Sequence, residues 1–206
     1  MVDTDKLFKK SAKLIADIAV KPQPVSSGMS QWFDYCEEVA PKNKSLWSRL
    51  RKLDFERDAD GLTKWLQGLL ESDPPAKKIN GLWFGLYNPV LDDGEPSCQM
   101  YVGGSTAFDP ASVSNEWVCQ LTWSPEGRYS TSPVLTKLYR SVEAITRNNV
   151  NYLGEPFLCH GYLALLVSHW CNGPMSTAML GTAPKRAVVI GHDSGDLYRM
   201  AVLQAK

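Results

Sequence analysis

The stretch NGLWFGLYNP, residues 80–89, decides the fold together with two later runs, SCQMYV at 97–102 and NEWVCQLTW at 115–123. In each run apolar residues recur at every second position, a pattern that is typical of a half-buried β-strand. Turn-forming residues rich in Gly, Pro and Asp separate the three runs. We therefore predict an antiparallel meander of three strands, near residues 81–88, 97–104 and 116–123.

The alternation within these strands also predicts which side chains are buried. In the third strand Trp117, Leu121 and Trp123 fall on one side, which we expect to face the core. The chain has five cysteines, an odd number, and none has the CxxC spacing. Free thiols in a reducing compartment explain this better than disulfides do, and we expect Cys98 and Cys119 to be buried.

The residues on either side of the predicted sheet are patterned as helices. Apolar residues recur at helical spacing over residues 4–72, and Pro74 and Pro75 then prevent any continuation. Beyond the sheet, Ser132 and Pro133 have the types expected at a helix start. The apolar run at 157–171 predicts a buried helix, with a buried strand as the alternative.

The order of these elements predicts an α+β fold, in which a helical N-terminal region packs with the antiparallel meander and two further helices. The segment AVVIGHDSGDLYRMAVL, residues 187–203, predicts a closing hairpin. We expect one α+β domain over residues 1–206, because a sheet with two apolar faces needs the helices as cover. A boundary at 73–78 is the alternative.

Composition limits the partners that the chain is expected to bind. Among its 206 residues, Lys and Arg number 22 and so do Asp and Glu, so no net charge attracts nucleic acid or an anionic membrane. The longest apolar run is shorter than the ~18 residues that a membrane span requires. The first twenty residues indicate an amphipathic helix and not a signal peptide. We expect a cytoplasmic protein with neither nucleic acid nor membrane as partner.

The segment GHDSGD, residues 191–196, is similar to the nucleophile segment of chymotrypsin-like proteases. Those enzymes also need a histidine and an aspartate on an earlier barrel, whereas this chain begins with helical patterns. A hairpin turn, in which Asp193 and Ser194 bond their own backbone, explains the segment more simply. A cation site at His192, Asp193 and Asp196 is a weaker alternative, and we expect no metal and no cofactor.

Two further motifs carry little chemistry. Cys159 and His160 are adjacent, so on a helix their side chains diverge and do not form a nucleophile–base pair. The sequence VGGST at 102–106 could bind an anion through its backbone amides, but two glycines inside a strand more often mark a close backbone approach.

The later three fifths of the chain contain four segments in a characteristic order: WFGLYNP, YVGGSTAFD, WVCQLTWSPEGRY and VVIGHDSGDLY. This order resembles the small cytoplasmic immunity proteins that accompany bacterial polymorphic and type VI secreted toxins, from about residue 80 to the C-terminus. The resemblance implies a binding protein and not an enzyme. Its partner would be a cognate toxin that acts in the cytoplasm and whose active site it covers.

Acidic residues in two predicted turns are the candidate interface. They are Asp92, Asp93 and Glu95 in the first turn and Asp193 and Asp196 in the second. Solvated turns are the simpler explanation of these residues, and the functional alternative is an acidic rim for a basic partner. The alternative function is a small hydrolase or transferase that uses Cys159 or the turn at 191–196.

Overall fold

The computed structural model of the chain describes residues 1–109, 111–112, 114–193, 195 and 197–205. Over these residues the chain forms seven α-helices and one four-stranded sheet, so the α+β class is confirmed. The helices are α1 (Thr4–Val20), α2 (Val25–Val39), α3 (Lys44–Leu50), α4 (Phe55–Ser72), α5 (Pro133–Glu143), α6 (His160–Asn172) and α7 (Met175–Leu180). The strands are β1 (Gly81–Tyr87), β2 (Gln99–Ser105), β3 (Lys185–His192) and β4 (Leu197–Gln204).

The sheet is mixed and has the strand order β2-β1-β3-β4. β1 pairs antiparallel with β2, and β3 pairs antiparallel with β4 to form the predicted C-terminal hairpin. In the centre β1 and β3 run parallel, from Gly81 opposite Ala187 to Leu86 opposite His192. The first two predicted strands are confirmed. The meander is wrong, because the third predicted strand does not form beside β2 and the sheet continues instead from β1 to β3.

The third predicted strand, residues 116–123, is not a strand in the structure. It contains a 3-10 turn at Glu116–Cys119, and its β-type pairing with β2 is limited to an isolated bridge at Trp123. Trp117 packs on one face of the sheet, whereas Trp123 belongs to the core under the helices. The alternating apolar residues therefore serve two separate clusters, and the common core-facing side predicted for them does not exist.

The helical patterning of the first 72 residues is confirmed by α1 to α4. A short non-helical segment separates α3 from α4. At its end the carboxylate of Asp54 accepts a hydrogen bond from the amide of Arg57 and caps α4. α4 ends at Ser72, two residues before the first of the two prolines. Over the residues that the structure describes, none of the helices combines the length and the apolar character needed to cross a membrane.

Two apolar clusters lie on opposite faces of the sheet. The larger one lies between the helices and the face that carries Leu82, Phe84 and Val188. Helix α6 is buried within it along most of its length, as predicted from its apolar run. The smaller cluster, on the other face, joins Trp83 and Val189 to the segment 106–121. The helices thus cover one face completely, and the second face is covered only in part.

All five cysteines lie in described parts of the chain and are free thiols. Cys36, Cys98 and Cys159 are buried, and burial raises the pKa of the Cys36 and Cys98 thiols well above their usual range. The prediction for Cys98 is therefore confirmed. The prediction for Cys119 is wrong: this residue is exposed, because the 3-10 turn directs its side chain away from both clusters.

We predict that a single thiol per native molecule reacts rapidly with an aromatic disulfide reagent, and that this thiol is Cys119. Cys171 should follow slowly, because burial raises its pKa to about 12 and leaves little thiolate at neutral pH. A time course of absorbance measures both rates. In the Cys119→Ser protein the rapid phase should be lost, and its survival would contradict the assignment.

The segment between α4 and β1 is tied to the sheet by one buried arginine. Arg186 of β3 is fully buried, and its guanidinium donates to four backbone carbonyls. The acceptors are Ile79 (2.8 Å from Nε), Met179 (2.6 Å from Nη1), and Pro75 and Ala76 (3.2 and 3.1 Å from Nη2). Burial lowers the pKa of Arg186 to about 10, so the group stays protonated at neutral pH. This side chain joins the helical region, α7 and the sheet.

Replacing Arg186 by Met should cost about 3 kcal/mol or more of unfolding free energy, because buried carbonyls would lose their donor. Arg186→Lys should also destabilise, since an ammonium group does not reproduce the planar set of donors. Chemical denaturation measures both effects. The control is Lys185→Met at the neighbouring partly exposed position, expected to change stability by less than about 0.5 kcal/mol. Equal losses at the two positions would contradict the role of Arg186.

Candidate functional site

The carboxyl ends of β1 and β3 meet at one edge of the sheet because the two strands are parallel. The loop 88–98 leaves β1 there, and the turn after His192 leaves β3 there. The backbone amide of Asp193 donates to the carbonyl of Leu86 at 3.1 Å, which joins the two ends directly. We call the carboxylates at this edge the acidic edge: Asp92, Asp93, Glu95, Glu155 and Asp193.

The loop 88–98 is held in a fixed conformation by Arg140 of α5. Its guanidinium donates to both carboxylate oxygens of Asp93, at 2.6 and 2.9 Å, and to the carbonyls of Glu95 and Pro96. These hydrogen bonds from Arg140 hold the pKa of Asp93 below its usual range. Asp93 is therefore a structural member of the acidic edge, whereas Asp92 and Glu95 are exposed and form no ion pair among the described residues.

His192 connects the strand ends to the segment that precedes α6. Its Nε2 lies 2.8 Å from Oδ1 of Asn88 and 3.1 Å from a carboxylate oxygen of Glu155. Its Nδ1 lies 3.1 Å from a carboxylate oxygen of Asp193. The Nδ2 of Asn88 donates to Glu155 at 2.6 Å and to the carbonyl of Ser97. Four side chains from separate parts of the sequence thus form one hydrogen-bonded cluster.

A small cleft of about 280 Å³ opens next to this cluster, and it is lined by Tyr139, Glu143, Asn151, Tyr152, Glu155 and Pro156. Burial raises the pKa of Glu143, and the neighbouring charge of Glu155 raises it further. The cleft is therefore a region of excess negative charge. Glu155 stands there because a π-helical turn, Gly154–Cys159, precedes α6.

The structure brings four of the five predicted interface residues to this edge. Asp92 and Glu95 are exposed, Asp93 binds Arg140, and Asp193 contacts His192. Asp196 lies outside the described residues, as does Ser194. The sequence-based interpretation did not include Glu155 or Asn88, since neither belongs to a recognisable motif. Only their contacts with His192 reveal them.

Cys159 and His160, the adjacent pair considered for catalysis, have structural roles. Cys159 is fully buried, and its Sγ lies 3.9 Å from the carbonyl of Leu135. The ring of His160 turns away, with Nδ1 3.2 Å from the carbonyl of Glu155. No group of three or more metal-ligating side chains with suitable geometry occurs within the part of the chain that is described.

The glycine pair of β2 marks a close approach and not an anion site. A Cβ at Gly103 would lie 2.8 Å from the side chain of Leu121, and one at Gly104 would lie 2.6 Å from Ile79. The hydroxyl of Ser105 donates to the carbonyl of Gln120 at 2.8 Å. These contacts seat the segment 106–121 against the sheet, which is the alternative that the sequence favoured.

A group of tyrosines stands beside the acidic edge on the sheet face opposite the helices. We call Tyr87, Tyr101 and Tyr129 the tyrosine face. Their ring centroids lie 5.1 to 5.8 Å apart, and Tyr129 is 50% exposed. The alternation in β1 and β2 already placed Tyr87 and Tyr101 opposite the core residues. Tyr129 carried no such signal, because it lies on a loop.

Comparisons with known proteins identify no relative: no protein-family model, no curated protein and no solved structure matches the chain significantly.

The charges at the acidic edge lead to a test by carboxylate NMR titration. In the native protein Asp93 should titrate below its usual pKa and Glu143 above its own. Arg140→Gln should return the pKa of Asp93 toward the usual value, because its main hydrogen-bond donor is lost. Glu155→Gln should lower the pKa of Glu143 and leave Asp93 unchanged.

The same ion pair predicts a pH dependence of stability. Since the pKa of Asp93 is lower in the folded state, its contribution is present above the unfolded pKa and is lost as pH falls through the folded one. The difference in stability between native protein and Arg140→Gln should therefore shrink on acidification. A difference in stability that stays constant from neutral to strongly acidic pH would contradict the Asp93–Arg140 ion pair as its origin.

Proposed function

We propose that the chain is an immunity protein, which binds a cognate bacterial toxin acting in the cytoplasm and inhibits it by covering its active site. The observation that supports this most directly is the acidic edge. The parallel pairing of β1 and β3 starts two loops that carry exposed carboxylates at the same end of the sheet, although about one hundred residues separate them in the chain. The order of sequence segments that resembles immunity proteins supports the same function.

The chemistry of these carboxylates indicates the kind of toxin. Asp92, Glu95 and Asp193 would occupy the electrostatic place of an anionic substrate in a basic active site. Toxins that act on nucleic acids, consume NAD or transfer ADP-ribose have substrates of this class. Charges at an interface rim act mainly on the association rate, whereas a charge that becomes desolvated contributes to the lifetime of the complex.

The alternative, an enzyme that uses Cys159, has less support. A catalytic thiol must meet its substrate and form a thiolate. Cys159 is fully buried at the start of α6, where its Sγ lies against the Leu135 carbonyl of α5, and the adjacent imidazole does not face it. The tightly held loop at Asp93 and the exposed carboxylates around it suit a rigid binding surface better.

The test is to co-express the chain with the toxin domain encoded beside its own gene, and to measure cell survival and binding kinetics. The native chain should protect the cells and form a stable complex. Asp92→Asn, Glu95→Gln and Asp193→Asn combined should slow association about tenfold or more at low salt, and less at high salt. Asp93 is left unchanged because it holds the loop.

The matched control neutralises three exposed helical carboxylates far from the edge, with Asp17→Asn, Asp60→Asn and Glu71→Gln. It changes the net charge by the same amount, so only the position differs. Full protection with unchanged association in both triple variants would remove the acidic edge from the interface. A native chain that neither protects nor binds, or a gene without a neighbouring toxin, would overturn the proposed function itself.

A further inference from the structure

We propose that the tyrosine face is the anchoring contact of this interface and that it receives a lysine or arginine side chain of the partner, held between the rings of Tyr87 and Tyr101 and the carboxylate of Asp193. The identity of the partner as a toxin rests on the proposed function. The chemistry of the contact rests on the residues described below.

The three rings form one continuous aromatic surface. Tyr87 and Tyr101 lie 5.8 Å apart with nearly perpendicular planes, Tyr87 and Tyr129 lie 5.1 Å apart, and Tyr101 and Tyr129 lie 5.7 Å apart. Phe108, Trp117 and Val118 cover the sheet face around Trp83 and Val189, but Tyr129 stays half exposed. Among the described residues, this part of the second face is therefore open to a partner.

The tyrosines are fixed before any partner arrives. Tyr87 ends β1, Tyr101 lies within β2, and Tyr129 is bridged to Tyr101 through the backbone. The hydroxyl of Tyr101 also accepts a hydrogen bond from Nε1 of Trp83 at 2.9 Å. Rigid aromatic side chains lose little entropy on binding, which is why Tyr is frequent among residues that dominate interface energies.

Charge indicates a cationic occupant. The amide of Asp193 bonds the carbonyl of Leu86, the residue before Tyr87, and its carboxylate is half exposed. Burial raises the pKa of Tyr101, the hydrogen bond from Trp83 opposes this, and the charge of Asp193 raises it again, so the carboxylate acts on that ring. A cation would meet a carboxylate and the negative faces of the rings together. A phosphate group would be repelled by the same carboxylate.

The protein already shows the same contact once within its own chain. The guanidinium of Arg128 lies 4.7 Å from the ring centroid of Tyr129 and donates to its hydroxyl at 3.0 Å. Arg128 therefore occupies the outer end of the tyrosine face. The partner's cation is assigned to the other end, over Tyr87 and Tyr101, where Asp193 supplies the opposite charge.

The first experiment uses no toxin. A short peptide of arginine and serine is titrated into the labelled full-length chain while the aromatic NMR signals of the tyrosines are followed. Saturable shifts should appear at Tyr87 and Tyr101. Tyr87→Ala and Asp193→Asn should each weaken binding roughly tenfold, which corresponds to about 1.4 kcal/mol. Phe8→Ala, at an exposed aromatic on α1, should leave it unchanged.

A peptide with glutamate in place of arginine serves as the probe for the opposite charge. Equal shifts with both peptides, no saturable shift at the tyrosines, or native affinity in Asp193→Asn would each overturn the inference. Thermal melts of every variant exclude loss of binding through unfolding, and Tyr87→Phe provides a variant that keeps the ring. That variant should retain most of the affinity.

The second experiment repeats the kinetics with the toxin encoded beside the gene. Tyr87→Ala should raise the dissociation rate about tenfold and change the association rate little, because an uncharged anchor does not steer the encounter. Toxin binding that is unaffected by Tyr87→Ala and Asp193→Asn would overturn the anchoring contact and leave the proposed function intact. A toxin that does not bind the native chain would overturn the function, and the peptide experiment would still decide the chemistry of the tyrosine face.

Discussion

The parallel pairing of β1 with β3 is the constraint on which the arrangement of the site depends. Two antiparallel hairpins would ordinarily each bury their own surface, but here they join edge to edge through their first strands. A parallel pair requires a long crossover, and the chain supplies it with β2, the 106–121 segment and α5 to α7. The helices of that crossover form much of the core over the sheet. Both strand ends then meet at one edge, where Asn88 and His192 bond each other.

That pairing also explains which parts of the fold the sequence predicts. The alternation of Leu82, Phe84 and Leu86 predicts one buried face of the sheet, and the helical patterns predict the helices that cover this face. Both are local properties of the chain, and the structure confirms both predictions. The second neighbour of β1 is not local in the sequence: residues 116–123 reach only β2, whereas β3 pairs with the other side of β1. Strand β3 is buried on both of its faces, as is usual for a central parallel strand.

The residues of the site also differ in whether the sequence alone predicts them. Asp92 and Asp193 could be selected from their turn positions, and the structure brings their two turns to one edge. The roles of Asn88 and Glu155 depend on distances to His192 that no spacing encodes. Cys119 was misplaced because a 3-10 turn has three residues per turn, so an alternating pattern does not fix the side that it faces. Tyr129 belongs to the tyrosine face because its loop forms a backbone β-bridge with Tyr101.

The acidic edge keeps like charges close together, and the structure limits the cost of this in two ways. Arg140 neutralises Asp93, and the imidazole of His192 stands between Glu155 and Asp193. The exposed carboxylates that form no such contact among the described residues, Asp92 and Glu95, remain available to an outside cation. In an interface of the proposed kind, the carboxylates and the tyrosine rings would have different roles. Exposed carboxylates at the rim would attract a basic surface over a distance of about one Debye length, ~8 Å at physiological salt. The rigid tyrosine rings beside them would slow dissociation, because salt screens apolar burial and cation–π attraction far less than the attraction between exposed charges.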